Sequence, residues 1–181
     1  MNNLRNKKKI ITVCFFSAFL MAACWVNAVK NDFFSLNQAV EMSWNYLEIQ
    51  LQRSMAFSNE LLLSLDNPLT LNASHQLDRL KQSLSQTQTL HDKLPIYEEI
   101  QEQIMEILGR VEKEQVGLKS EKRISLQLRY RDIERRIEEE AILFNKNTLY
   151  YNKNIRLFPK HWVAKLFGFQ QRHEFHLSKQ S

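Results

Sequence analysis

Two runs of heptad-spaced apolar residues, one near each end of the chain, constrain the fold more than any other feature. Phe33, Val40, Leu47, Ser54 and Leu61 form one series, and Asn37, Trp44, Leu51, Ser58 and Leu65 form a second, four residues later. Most of these positions are apolar, so they build one stripe along a helix; a strand, with its period of two, would scatter them over both faces. Near the other end, Tyr130, Ile137, Phe144, Tyr151 and Phe158 stand at strict heptad spacing, flanked by Ile133, Ala141 and Ile155. The chain has only three glycines and three prolines in 181 residues. Sheet proteins consume both in frequent turns, so an all-β fold is excluded, as is a glycine-rich phosphate-cradling loop. The length allows one domain with a real core. The expected fold is all-α: an up-and-down bundle of three to four long antiparallel helices after an N-terminal hydrophobic helix.

The boundaries follow from capping chemistry. Asp66-Asn67-Pro68 ends the first helix, because a residue before proline is pushed out of the helical region. A loop rich in Leu, Thr and Asn is expected to run to Ser74, a good N-cap. Helical spacing then covers Leu77, Leu80, Leu84, Thr87, His91 and Leu94, and resumes after Pro95 with Ile100, Ile104, Ile107, Leu108 and Val111. Pro95 either kinks one helix over 74–116, which matches the length of the flanking helices, or opens a new one, which Glu98 and Glu99 favour. Gly117 suits the next turn. The charged run Arg129–Glu140 reads as a solvated helix face. Phe158-Pro159 ends the last long helix, residues 160–169 form a short amphipathic segment, and the tail from Gln170 is polar.

The N-terminus carries a membrane signal. Arg5, Lys7, Lys8 and Lys9 precede twenty uncharged residues, Ile10 to Val29, enough to cross a bilayer core of about 30 Å as a helix. Three readings stand beside one another: lipoprotein processing at Ala22-Ala23-Cys24 with Cys24 lipidated, an uncleaved single-pass anchor, or cleavage after Ala28. Residues 1–29 are thus the basic leader and anchor, and 30–181 the helical domain. Four basic residues precede the segment and only Lys30 follows before Arg53, so the positive-inside rule places the domain outside the cytoplasm, in the periplasm of a Gram-negative cell. Both cysteines, Cys14 and Cys24, lie in the apolar segment, leaving the domain without a disulfide or thiolate site. The basic excess sits in the leader and in residues 141–181, which hold seven basic groups and one acidic; that distribution argues against a nucleic-acid partner.

The C-terminal third carries a family resemblance. Phe144-Asn145 precedes Tyr151-Asn152 by seven residues; Ile155-Arg156-Leu157-Phe158-Pro159 and Ala164-Lys165-Leu166-Phe167-Gly168-Phe169 follow, then Phe175. Upstream stand Glu134-x-x-Ile137, Trp44 and Ile49-Gln50-Leu51-Gln52-Arg53. This pattern resembles the LemA family, with its paired Tyr-Asn dipeptides, its Phe-Pro stop and its Ala-x-x-Phe-Gly-Phe segment. Residues 54–61 depart from the family's Arg-x-Asp-Leu-Ile-Pro-Asn-Leu stretch. The resemblance implies a helical bundle with a membrane anchor in a bacterial envelope; the family carries no established enzymatic activity for it to imply. The motif residues it marks are Trp44, Glu134, Ile137, Asn145, Tyr151, Asn152, Phe158, Pro159, Ala164, Gly168 and Phe169. Asn145 and Asn152 sit one position past stripe aromatics. They read either as amides recognising a partner's backbone or as internal cross-links that hold the C-terminal segment and satisfy carbonyls freed at Phe158-Pro159.

No catalytic constellation is present. The five histidines match no zinc-protease spacing, and no nucleophile elbow, P-loop or Rossmann fingerprint occurs. The expectation is a non-enzymatic protein without cofactor or metal: a membrane-tethered adaptor or scaffold for an unidentified envelope protein, with homo-oligomerisation open. The alternative is a binder of lipid or envelope-polymer surfaces through the C-terminus, where Lys153, Arg156, Lys160, Lys165 and Arg172 surround Trp162, Phe167 and Phe169. A count of three helices sets that C-terminus far from the anchoring membrane.

Overall fold

The computed structural model describes residues 2–64, 69–114 and 120–176. Among them there is no strand. Five helices follow in order: α1 (Asn2–Ser64), α2 (Leu69–Gln86), α3 (Leu90–Glu114), α4 (Ser120–Arg156) and the short α5 (Lys160–Leu166). The chain divides into two compact units, one of residues 1–39 and 150–171, the other of 40–149 and 172–181. Helices α1 and α4 each contribute to both.

The larger unit is an up-down-up-down arrangement of four helices. Contacts run in step between α1 and α3, Glu48 meeting Lys93 and Ser54 meeting Gln101, so these helices are parallel. They run in opposition between α1 and α4, where Trp44 meets Phe144 and Phe57 meets Tyr130. Helix α2 folds back on α3, placing Leu77 in one buried cluster with Ile100, Ile104, Ile107, Leu126, Phe57 and Leu61. The heptad series of α1 is that core: Val40, Leu47, Ser54, Leu61, Trp44, Leu51 and Ser58 are all buried. Leu65 and the Asp66-Asn67-Pro68 stop lie outside the described residues, as does Gly117.

Two buried serines interrupt the apolar seam. Ser58 Oγ donates to the Met55 carbonyl at 2.7 Å, and Ser54 Oγ donates to Gln101 Oε1 at 3.0 Å. Gln101 Nε2 and Thr148 Oγ1 are buried without a partner. The run Arg129–Glu140 is a solvated face laced by Asp132–Arg135, Asp132–Arg136 and Arg135–Glu139 pairs, all about half exposed.

Three boundaries differ from expectation. Helix α2 begins at Leu69, five residues before Ser74. The partly buried Ala73 lies one turn before Leu77 on the face packed into the core, and burying that face extends the helix upstream past a good capping residue. The second difference concerns Pro95, which neither kinks a 74–116 helix nor starts a new one. The break falls at 87–89, and Pro95 lies inside α3. Thr89 caps α3: the Asp92 N–H donates to Thr89 Oγ1 at 3.3 Å, and the Thr89 hydroxyl donates to Asp92 Oδ2 at 2.6 Å. This local N-cap outcompetes the proline as a start signal. Pro95 removes one helical donor, while Leu94, Tyr97, Ile100 and Ile104 around and beyond it are all buried. Third, α4 stops at Arg156. Tyr130, Ile137, Phe144 and Tyr151 are buried as the stripe requires, whereas Phe158 lies past the helix end and faces solvent.

In the smaller unit, α1 is apolar and exposed from Ile10 to Met21. Ile10, Ile11, Val13, Phe15, Phe16, Phe19, Leu20 and Met21 all face outward, and the free thiols of Cys14 and Cys24 are exposed with them. An 18-residue window in this helix has a mean hydropathy of 2.0, which makes it a candidate membrane span. Burial begins at Val29 and Phe33; the other buried side chains of the unit are Tyr151, Ile155, Val163 and Ala164.

Candidate functional site

The motif residues resolve into two constellations, one in each unit. In the smaller unit, Pro159 follows a cis Phe158–Pro159 peptide and leads into α5. Val163 and Ala164 are the inward face of this seven-residue helix. Its end explains the Ala-x-x-Phe-Gly-Phe pattern. The Phe169 N–H donates to the Ala164 carbonyl at 2.9 Å and the Gly168 N–H to the Lys165 carbonyl at 3.4 Å, the paired bonds of a Schellman cap. That cap needs a left-handed residue after the helix, and Gly168 has φ +73°. The turn delivers the Phe169 ring edge-on to Phe33 of α1, with centroids 5.3 Å apart. Lys160 lies 3.7 Å from Asp32, and the Lys30 ammonium sits 5.0 Å from the centre of the Phe167 ring. Tyr151 donates its hydroxyl to the Gln170 carbonyl at 2.9 Å, and Arg156 donates to the Gln171 amide. Asn152 lies beside them, half-buried.

In the larger unit, Asn145 holds the end of the chain. Its Nδ2 donates to the Phe175 carbonyl and its Oδ1 accepts from the Phe175 N–H, both at 2.8 Å. One amide side chain thus satisfies both backbone groups of a residue whose ring is buried. The carbonyl held is that of Phe175, rather than those at Phe158-Pro159. Around this clamp, Arg172 donates to Glu41 of α1 at 2.8 Å and the His176 N–H donates to Glu98 of α3 at 2.7 Å. The tail expected to be merely polar is a strap fastened to three helices.

Trp44 sits between two rings, Tyr97 at 5.9 Å and Phe144 at 5.7 Å. Beside it, Glu48 Oε1 accepts from both Lys93 Nζ at 2.9 Å and the Tyr97 hydroxyl at 3.2 Å. Burial first, and then the Glu48 charge, push the Tyr97 phenol above its ordinary range. Tyr130 shifts the same way, through burial and the nearby charge of half-exposed Glu134, while Ile137 is fully buried. Sequence reasoning missed the tertiary roles of Glu41, Glu48, Lys93 and Glu98: each is one of many charges on a helix and acquires that role only through its distant partner. Among the described residues, no three His, Cys, Asp or Glu side chains converge on a metal-sized site.

The arrangement fastens a short C-terminal helix and a strap to a helical scaffold; its polar groups bind the chain's own backbone. The model of the LemA family matches residues 43–181, and the chain belongs to that family. No curated protein and no solved structure matches it.

Proposed function

We propose that this member of the LemA family is a membrane-tethered, non-enzymatic interaction protein of the bacterial envelope. The uncharged part of α1 is the tether, and the helical domain, outside the cytoplasm, docks another envelope protein. One observation carries the docking part. Met42, Tyr46 and Ile49 fall at i, i+4 and i+7 on α1, opposite its core face, and each is about half exposed. Leucine-like side chains scattered over a surface need no explanation, but an apolar row at helical spacing on the outer face suits a helix-face partner. The N-terminal basic cluster supports the orientation. The anchor stays uncleaved, without lipidation at Cys24; cleavage after Ala28 would place a charged terminus on buried Val29.

Two measurements test this. The intact mass of the protein extracted from its native membrane should equal the full chain; a mass matching an acylated Cys24 terminus replaces the spanning tether with a lipid one. A photocrosslinking residue at position 46 should give one discrete adduct in native membranes. The adduct should vanish when the probe is moved to position 138, an exposed position on α4. No adduct from position 46 in repeated trials would refute the docking surface, and an adduct of twice the chain's own mass would make the partner a second copy.

A further inference from the structure

The exposed face of α5 lies beside the end of the tether. From Phe158 the side chains of Phe158, Trp162 and Leu166 recur every four residues and are 72, 62 and 73 % exposed. Phe158 and Trp162 stack edge to face at 5.3 Å, so they form one continuous aromatic surface. The opposite face of α5, Val163 and Ala164, is buried, and Lys160 of α5 with Phe167 and Phe169 just after it reach α1 at Asp32, Lys30 and Phe33. Those residues directly follow the uncharged segment ending at Val29. At a rise of about 1.5 Å per residue, Phe33 stands roughly 6 Å beyond that end. The headgroup layer on each side of a bilayer has about that thickness. The expectation of a C-terminus remote from the membrane rested on three helix traversals. Four traversals are made, and α5 packs on the helical turn next to the apolar segment.

Charge agrees with position. Beyond the apolar segment, the smaller unit carries Lys30, Lys153, Arg156, Lys160 and Lys165 against a single acidic residue, Asp32, which Lys160 faces. Exposed Trp and Phe beside clustered Lys and Arg, at the depth where hydrocarbon gives way to water, is the composition of an interfacial segment.

We infer that α5 is a membrane-seating collar: the surface of Phe158, Trp162 and Leu166 rests in the anionic phospholipid headgroup layer of the same bilayer that α1 crosses, held there by the surrounding lysines and Arg156. The collar sets the angle at which α1 leaves the membrane. This rests on the reading of Ile10–Val29 as a membrane span, and the test separates the two.

The native tryptophans serve as probes. The full chain is reconstituted into phosphatidylcholine vesicles with and without phosphatidylglycerol, using lipids brominated near the headgroup or near the chain ends. Trp44 is buried in the larger unit and common to all samples. Trp25→Phe leaves Trp162 as the collar's reporter, and Trp162→Phe leaves Trp25 as the tether's. The expected result is quenching in both variants. In Trp25→Phe it comes mainly from the shallow bromines, and it is stronger in the anionic vesicles. Quenching in Trp162→Phe but none in Trp25→Phe refutes the collar and leaves the tether standing. Absence of quenching in both refutes the spanning reading and the collar with it. Equal Trp162 quenching in neutral and anionic vesicles overturns the choice of anionic headgroups as the surface recognised.

Discussion

Replacing Asn145 with Ala should loosen the C-terminal strap without unfolding the helices beneath it. Asn145 makes two bonds to the Phe175 backbone, both at 2.8 Å. At about 1 kcal/mol net for each, their loss weakens strap docking by about 2 kcal/mol. The Phe175 ring remains buried, worth a further 1.5–3 kcal/mol or so, and the bonds to Glu41 and Glu98 are untouched. The strap should therefore open more often but remain mostly closed. The readout is hydrogen exchange of the His176 N–H, whose own acceptor Glu98 is unchanged. A loss of about 2 kcal/mol corresponds to exchange roughly 30-fold faster at residues 172–176. Asn145→Asp should behave similarly: it keeps an acceptor for the Phe175 N–H but turns a second carboxylate oxygen toward the Phe175 carbonyl. Exchange at His176 within about two-fold of the unmodified protein would refute the clamp, since the net value of even one bond exceeds that change. Equal acceleration throughout α1, α3 and α4 would make Asn145 part of the core's stability and not a latch.

Four further outcomes follow from the geometry. Gly168→Ala meets no atom within 4 Å of the new Cβ, so its cost is the left-handed backbone alone, about 1 kcal/mol. It should show as faster exchange of the Phe169 N–H, with Gly168→Asn milder. Trp44→Ala removes the ring between Tyr97 and Phe144 and should destabilise by about 3–5 kcal/mol in denaturant unfolding of the detergent-solubilised chain; a loss under 1 kcal/mol would contradict its central place. The alkaline limb of stability should be steep. Tyr97 and Tyr130 have folded pKa values raised above the ordinary 10.0, so the folded state keeps protons that the unfolded state releases. Their contribution is complete below pH 10 and is lost above it at about 1.4 kcal/mol per pH unit for each tyrosine, and Tyr97→Phe should reduce that slope in denaturant titrations above pH 10. Finally, Ser54→Ala with Gln101→Met removes a buried bond together with the unpartnered Gln101 Nε2, and should raise the unfolding midpoint by the equivalent of about 1 kcal/mol.

Much of this was legible because helix signals are local and periodic. The heptads of α1 and α4 named the buried face correctly, from Phe33 to Leu61 and from Tyr130 to Tyr151, since a repeat near 3.6 has only one way to bury its apolar members. The stripe failed at Phe158 because periodicity carries no stop signal of its own; the chain leaves the helix after Arg156, and the phenylalanine goes outward with it. The boundaries of α2 and α3 failed for a related reason. Ser74 and Pro95 are strong single-residue signals, yet one was overridden by burial of a face that includes Ala73 and the other by the Thr89–Asp92 pair. The motif itself was readable as a string but not as chemistry. Nothing in Ala-x-x-Phe-Gly-Phe says that the glycine closes a helix cap so that a phenylalanine can reach α1, or that Asn145 holds the backbone of a residue thirty positions later.

What the sequence determined alone was whatever depends on neighbours within a few turns: all-helical structure, the apolar leader with its flanking charges, the buried faces, and the family. What the tertiary structure decided was whatever depends on the number of traversals. A fourth helix in place of a third reverses where the chain ends. That reversal packs α5 on the turn of α1 that follows the tether, and it turns a polar tail into a strap. The extra break falls at 87–89, where the Thr89–Asp92 pair competes with Pro95 as a start signal, and which of two local signals wins is set by the balance of capping and burial over the packed unit.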